Sequence, residues 1–245
     1  MSEVLAGKTV VITGASRGVG LASAIEAGAQ GARVVLLARS DASEAAEKIG
    51  NGSFAISCDV GDGPAVRNAF AQIRERAGAV YALVNNAGIG RPQAVDKLTD
   101  EDIAAHVGVN FLGTVHTVRE AVPMMREAGT GHIINISSET VSDPFPFLAL
   151  YAGTKAGTET FTVALRREVK ASGIRVTLLR IGATMTDFAS GWDPEVAGAA
   201  ITLWQKEGYL KAGLAMEPQQ VAHHVCALIA APPGALMESI ELQPG

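Results

Sequence analysis

The segment Thr9-Val10-Val11-Ile12-Thr13-Gly14-Ala15-Ser16-Arg17-Gly18-Val19-Gly20 passes from an unbroken apolar run into three closely spaced glycines. Such a run suits a strand covered on both faces, and a helical pattern, Gly18 to Ala29, follows it. Glycines at 14, 18 and 20 permit a sharp turn and let backbone N–H groups approach a pyrophosphate. The positive N-terminal end of the following helix attracts the same anion. A glycine triplet alone says little. Placed after a strand and at the opening of a helix, it reads as a dinucleotide-binding turn rather than an ordinary Gly-rich connection.

The same alternation continues outward. Further apolar runs lie at 33–38, 53–57, 80–84, 132–136, 174–179 and 239–242. Helical patterns lie between them at 64–77, 99–127, 151–172, 194–207 and 218–230. Pro64 and Gly78 bracket one of these as start and stop; the 99–127 pattern is expected to bend near Gly113 or Pro123. The order predicts an α/β fold: a Rossmann-like, doubly wound sheet of about seven mostly parallel strands with helices on both faces. No repeat or linker divides the chain, so residues 1–245 read as a single domain.

Composition narrows the function. The 245 residues are 48% hydrophobic and 18% charged, against roughly 25% charged in typical soluble domains. This excludes a disordered chain and suits a sheet buried on both sides. The net charge is −5 and no basic block occurs, so nucleic acid has no electrostatic footprint. No apolar stretch is long enough to span a membrane, and Met1 to Gly7 lacks a signal-peptide layout. Cys58 and Cys226 are too few for a disulfide framework and read as reduced thiols in a cytoplasmic protein. His106, His116, His132, His223 and His224 show no metal spacing, so no metal is expected.

The second strand ends Leu37-Ala38-Arg39-Ser40, without the carboxylate that binds a ribose 2′-hydroxyl in NAD sites. Arg39 there, and Arg17 inside the glycine turn, suit the 2′-phosphate of NADP(H). Asp41, two residues on, could partly serve a ribose instead. Farther along, Tyr151 and Lys155 are four apart on one helix face. A nearby ammonium and a positive nicotinamide ring would lower the Tyr151 pKa from about 10 toward working pH, making it a general acid or base. Ser138, at a strand's carboxyl end, could hydrogen-bond a substrate oxygen.

Together, Thr13-Gly-x-x-x-Gly-x-Gly20, Asn85-Asn86-Ala87-Gly88, Asn110, Ser138 and Tyr151-x-x-x-Lys155 resemble a classical short-chain dehydrogenase/reductase over essentially the whole chain. The resemblance implies that Tyr151 transfers a proton, Lys155 binds the nicotinamide ribose, Ser138 orients the carbonyl and Asn110 holds a relay water. It makes Gly14, Ser16, Arg17, Gly18, Val19, Gly20, Arg39, Asp59, Val60, Asn86, Ala87, Gly88, Gly182, Thr184 and Thr186, with Tyr151 and Lys155, the cofactor contacts. Ser137 rivals Ser138, which the thirteen-residue step to Tyr151 favours. There are departures: Ile181-Gly182 stands where the family has Pro-Gly, Gly153-Thr154 replaces a commoner pair, and the C-terminus lacks Gly-Gly.

Substrate recognition is expected from 139–150 and 188–214, with Phe188 and Trp192 as lid residues and Trp204 as core. Asp143 reads as a turn residue and Arg180 as half of a structural pair. The chain thus reads as an NADP(H)-dependent oxidoreductase that interconverts a small-molecule carbonyl and a secondary alcohol. The alternative is a catalytically silent NADP(H)-binding sensor; a sugar-nucleotide epimerase is disfavoured by the short segment after Gly182. The resemblance also implies a homodimer or homotetramer built on the 99–127 and 151–172 helices.

Overall fold

The structure is a computed structural model that describes residues 4–210, 214–232, 234 and 236–245. Residues 1–3 of the leading segment and 211–213 of the 188–214 segment lie outside the described residues. Seven strands form one sheet: β1 (Thr9–Thr13), β2 (Arg33–Ala38), β3 (Phe54–Ser57), β4 (Ala82–Asn85), β5 (Gly131–Ser138), β6 (Ile174–Ile181) and β7 (Ser239–Leu242). Their order is β3-β2-β1-β4-β5-β6-β7, and every described pairing is parallel. The order reverses between β1 and β4, which opens a crevice beyond the carboxyl ends of those strands.

Helices cover both faces. They are α1 (Gly18–Ala29), α2 (Ser43–Ile49), α3 (Gly63–Ala77), α4 (Asp100–His106), α5 (Gly113–Ala128), α6 (Ala149–Val169), α7 (Pro194–Glu207) and α8 (Pro218–Ala230). Successive strand residues point to opposite faces. Val10, Ile12, Val34 and Leu36 therefore pack with Val19 and Ala24 of α1 and Val221 and Val225 of α8. Val11, Val35 and Leu37 pack on the other side with Ile73 of α3, Val118 of α5 and Leu165 of α6. Both layers need apolar residues, which is why the strands read as runs rather than as alternation.

Leu83 is fully buried in β4, opposite Val11 on one side and Ile133 on the other. Leu83→Ala is expected to cost about 2–5 kcal/mol in urea-induced unfolding, because rigid neighbours on both strands leave a cavity. A cost under about 1 kcal/mol would mean that the layer closes over the gap.

The helix α2 lies where the sequence shows no helical pattern: it has seven residues and buries only Ala46, so it carries almost no apolar period. The 99–127 pattern is helical throughout, with its irregularity next to Gly113. α4 gives way to π-type turns over Val107–Leu112, and regular α-helix resumes at Gly113. The wider turns leave the Asn110 carbonyl to accept the Thr158 hydroxyl at 3.1 Å. Pro123 lies inside α5.

A buried polar chain ties the middle of the sheet to its helices. Asn85 Nδ2 donates to Asn135 Oδ1 at 2.8 Å, Asn135 Nδ2 to Thr162 Oγ1 at 2.8 Å, and Thr117 Oγ1 to Asn85 Oδ1 at 2.6 Å. Of the histidines, His106 and His132 are core residues and His223 and His224 are exposed. Burial pushes the His132 pKa down to about 3, so its ring is neutral beside Thr177.

Candidate functional site

A cleft of about 630 Å³ runs along the carboxyl ends of the strands. One end holds the β1–α1 turn. Gly14 has φ +65°, and a Cβ there would lie 2.9 Å from the Ala87 backbone; one on Gly20 would overlap the Gly14 carbonyl oxygen. Glycine is therefore required for the turn to close against the β4 end. Thr13 fastens the same junction: its hydroxyl accepts the Asn86 and Ala87 N–H groups at 3.0 and 2.9 Å. Thr13 is the first residue of the glycine motif, and that place is the sequence signal of its role.

The N-terminus of α1 has no side-chain cap, and its first turn has no acidic residue. The first N–H groups of a helix lack intrahelical partners, so this end is available to an anion. Arg17 and Arg39 are exposed, line the cleft and pair with no carboxylate among the described residues. Asp41 faces elsewhere: its Oδ1 accepts the Ser43 N–H and hydroxyl at 2.9 and 2.7 Å at the start of α2. A glycine cradle, an uncapped helix end and two unpaired guanidiniums fit a phosphorylated dinucleotide in physical terms. Ser16, Gly18, Val19, Asp59, Val60, Asn86, Ala87 and Gly88 line this part of the cleft. Asp59 also accepts the Gly61 N–H at 2.8 Å, shaping the turn after β3.

The other end gathers Ser138, Tyr151, Lys155, Gly182, Thr184 and Thr186. Ser138 is the last residue of β5 and accepts the Thr140 N–H at 3.2 Å. Ser137 also reaches the cleft, but its hydroxyl is committed to Glu159 at 2.7 Å. Lys155 is buried and donates to the Ile136 carbonyl at 2.9 Å. Burial lowers its pKa to about 8, with the Glu159 carboxylate opposing the shift. Thr186 packs its methyl against Gly18, so the β6 loop meets the glycine turn across the cleft.

Tyr151 differs from expectation. Burial pushes its pKa up to about 12, and Glu139 adds to the rise while the Ser138 hydroxyl opposes it. Lys155 Nζ lies 5.9 Å from the Tyr151 ring centroid, too far to outweigh desolvation. In the protein by itself Tyr151 holds its proton firmly. The Asn110 side chain is engaged by protein partners. Its Oδ1 accepts the Ile89 N–H at 2.8 Å, and its Nδ2 donates to Ile89 O at 2.8 Å and to Thr154 Oγ1 at 3.0 Å. Asn110 thus clamps the turn after Gly88, and Thr154 passes the link to the Tyr151 carbonyl at 2.7 Å.

Aromatic rings wall the open side. The Phe188 ring lies 5.6 Å from that of Tyr151 and 6.2 Å from that of Trp192. Trp192 Nε1 donates to Gly90 O at 2.5 Å and Trp204 Nε1 to Pro146 O at 2.8 Å, so neither indole N–H is left for a ligand. Trp204 is buried with Phe145, Leu148 and Tyr151, and is both core and wall. Arg180 is a structural pair, held by Glu159 at 2.7 and 2.5 Å, and Asp143 lies in the turn before Pro144. Among the described residues no group of three or more His, Cys, Asp or Glu could hold a metal ion, and no helix is long and apolar enough to cross a membrane.

A parallel seven-stranded sheet in this order, with helices on both faces, is a Rossmann-like fold. A family model described as short chain dehydrogenase matches residues 8–197. The chain therefore belongs to the short-chain dehydrogenase/reductase family of oxidoreductases. It is 34% identical over 228 residues to "Carbonyl reductase family member 4" of Danio rerio, covering 92% of each chain. Among solved structures it is similar to a 3-ketoacyl-(acyl-carrier-protein) reductase from Brucella melitensis complexed with NADH. That likeness has a TM-score of 0.85, 29% identity and 98% coverage of both chains. An alcohol dehydrogenase from Thermococcus sibiricus complexed with 5-hydroxy-NADP gives a TM-score of 0.81 at 26% identity, over 97% of this chain and 96% of that one.

Proposed function

We propose that the chain works as one NADPH-dependent unit that reduces the carbonyl of an uncharged, apolar small molecule to a secondary alcohol. The observation that carries this reading is the placement of Ser138, Tyr151 and Lys155 at one end of a cleft whose other end presents Arg17, Arg39 and the uncapped α1. The NADP-bound relative supports the cofactor, and the carbonyl reductase supports the substrate class. Gly14, Gly18 and the α1 N–H groups would hold the pyrophosphate, and Arg17 and Arg39 the 2′-phosphate. Asp59, Val60 and Asn86 to Gly88 would border the adenosine, and Gly182, Thr184, Thr186 and Lys155 the nicotinamide half.

When bound, NADPH supplies the hydride to the carbonyl carbon. Tyr151 then delivers its proton to the carbonyl oxygen, which the Ser138 hydroxyl has oriented. A Tyr151 pKa near 12 suits a donor that stays loaded at neutral pH until alkoxide charge develops. Lys155 stabilises the resulting phenolate as a neighbouring cation. The aromatic wall excludes water, and its committed indole N–H groups offer an apolar surface. The test is oxidation of NADPH and NADH driven by a panel of ketones, aldehydes and carboxylate-bearing ketones. Turnover preferring NADPH and neutral aromatic ketones is expected; NADPH binding without turnover on any carbonyl would favour the silent sensor.

The Lys155 ammonium is the working form, and its pKa is lowered to about 8. Raising pH through that value removes the charge, so kcat/KM for NADPH is expected to fall through one ionisation near pH 8. Lys155→Met should lose this alkaline limb as well as activity. A profile flat to pH 10 in the parent protein would contradict the assignment.

A further inference from the structure

Ser137, Arg180 and Glu241 stand side by side on β5, β6 and β7, as register partners in one rung of the sheet. Glu159 of α6 lies over this rung. Its Oε1 accepts the Ser137 hydroxyl at 2.7 Å and Arg180 Nε at 2.7 Å, and its Oε2 accepts Arg180 Nη2 at 2.5 Å. Arg180 also reaches Glu241 at 3.7 Å. Glu159 is buried, and a carboxylate taken out of water needs such partners on both oxygens.

The rung lies where the sheet has lost a neighbour. β4 ends at Asn85, opposite Asn135, so Ile136, Ser137 and Ser138 run past it and pair with β6 alone. This half-supported stretch carries Ser138 and the Ile136 carbonyl that accepts Lys155 Nζ at 2.9 Å. Helix α6 supports it from one face. Lys155, Glu159 and Thr162 are spaced four and three apart, so they share a side of the helix. They meet the Ile136 carbonyl, the Ser137 hydroxyl and the Asn135 amide. Beyond the end of β4, Glu159 joins α6 to β5 and β6 at once.

We propose that Glu159 is a positioning residue: bridging the Ser137 hydroxyl and the Arg180 guanidinium, it pins α6 to the carboxyl end of β5 and so holds Tyr151 and Lys155 in place beside Ser138. The benefit to the reaction rests on the function proposed above; the hold on β5 does not. Glu159 also sets the charge around Lys155. One turn away on the same helix, its carboxylate favours the ammonium. The other titratable and charged groups nearby are Tyr151 on α6, Glu139 after β5, and Arg180 and Glu241 on β6 and β7 behind Glu159. Neutralising Glu159 alone leaves the Arg180 cation on that side of Lys155, which disfavours the ammonium; removing both charges cancels this effect.

The test compares the parent protein with Glu159→Gln and Glu159→Leu/Arg180→Leu, the second of which leaves neither charge unpaired. Hydrogen exchange of peptides covering 135–140 is followed without cofactor, and kcat and kcat/KM for NADPH are measured across pH. Both variants are expected to speed exchange over 135–140 about tenfold and to lower kcat for carbonyl reduction about tenfold. Glu159→Gln should also move the alkaline limb down by about one pH unit, whereas the double variant should return it toward the parent position. Parent-like exchange over 135–140 in both variants would overturn the proposal. Lower stability in urea with kcat and the alkaline limb unchanged would also overturn it, by marking a pair that serves stability alone. If Glu159→Gln does not fold, exchange and kcat of the double variant still decide. Should the parent protein turn over no carbonyl, the proposed function falls while the exchange measurement still decides the hold on β5.

Discussion

Tyr151→Phe is expected to lower kcat for carbonyl reduction by about 10²–10⁴-fold, the range that a positioned proton donor supplies. The variant removes one oxygen and keeps the ring, so the contact with Phe188 at 5.6 Å survives. NADPH affinity should then change by less than about twofold, because the lost hydroxyl acts on the transition state rather than on the bound ground state. Single-turnover kinetics with NADPH in excess would separate the two effects. Turnover within about tenfold of the parent would move the proton donor elsewhere in the cleft.

The second large effect concerns the cofactor's phosphate. Charge-assisted hydrogen bonds are each worth about 1.5–3 kcal/mol, and exposure of Arg17 and Arg39 argues for the low end of that range. Arg17→Ala/Arg39→Ala is therefore expected to weaken NADPH binding by about 10²-fold, which is about 3 kcal/mol. NADH lacks the 2′-phosphate and should bind the variant nearly as it binds the parent. The difference should shrink at high salt, because the screening length falls from about 10 Å at 0.1 M to about 3 Å at 1 M. Equal losses for both cofactors would assign the arginines to the shared pyrophosphate and remove the case for NADPH.

Much of this molecule is legible along the chain. Strand runs such as Val10–Ile12 and Val34–Leu37 announce a sheet covered on both faces because burial on two sides excludes polar residues locally. The glycines at 14 and 20 and the four-residue step from Tyr151 to Lys155 are equally local, since a turn and a helix face each span only a few residues. By contrast, α2 buries one alanine and leaves no apolar period to read. The π-type turns at Val107–Leu112 depend on a partner far along the chain, Thr158, which takes the Asn110 carbonyl.

The sequence by itself determined the order of the seven strands, the glycine turn after β1 and the shared helix face of Tyr151 and Lys155. Each follows from propensity, period or spacing over short stretches. Only the tertiary structure decided that Tyr151 keeps its proton, that Lys155 is drawn toward neutrality, that Asn110 clamps Ile89 and that Glu159 bridges Ser137 and Arg180. These are matters of desolvation and of contacts between residues far apart in the chain. A group's pKa depends on which dipoles and charges surround it once water is excluded, and that environment exists only after the sheet, the helices and the C-terminal tail have closed on one another.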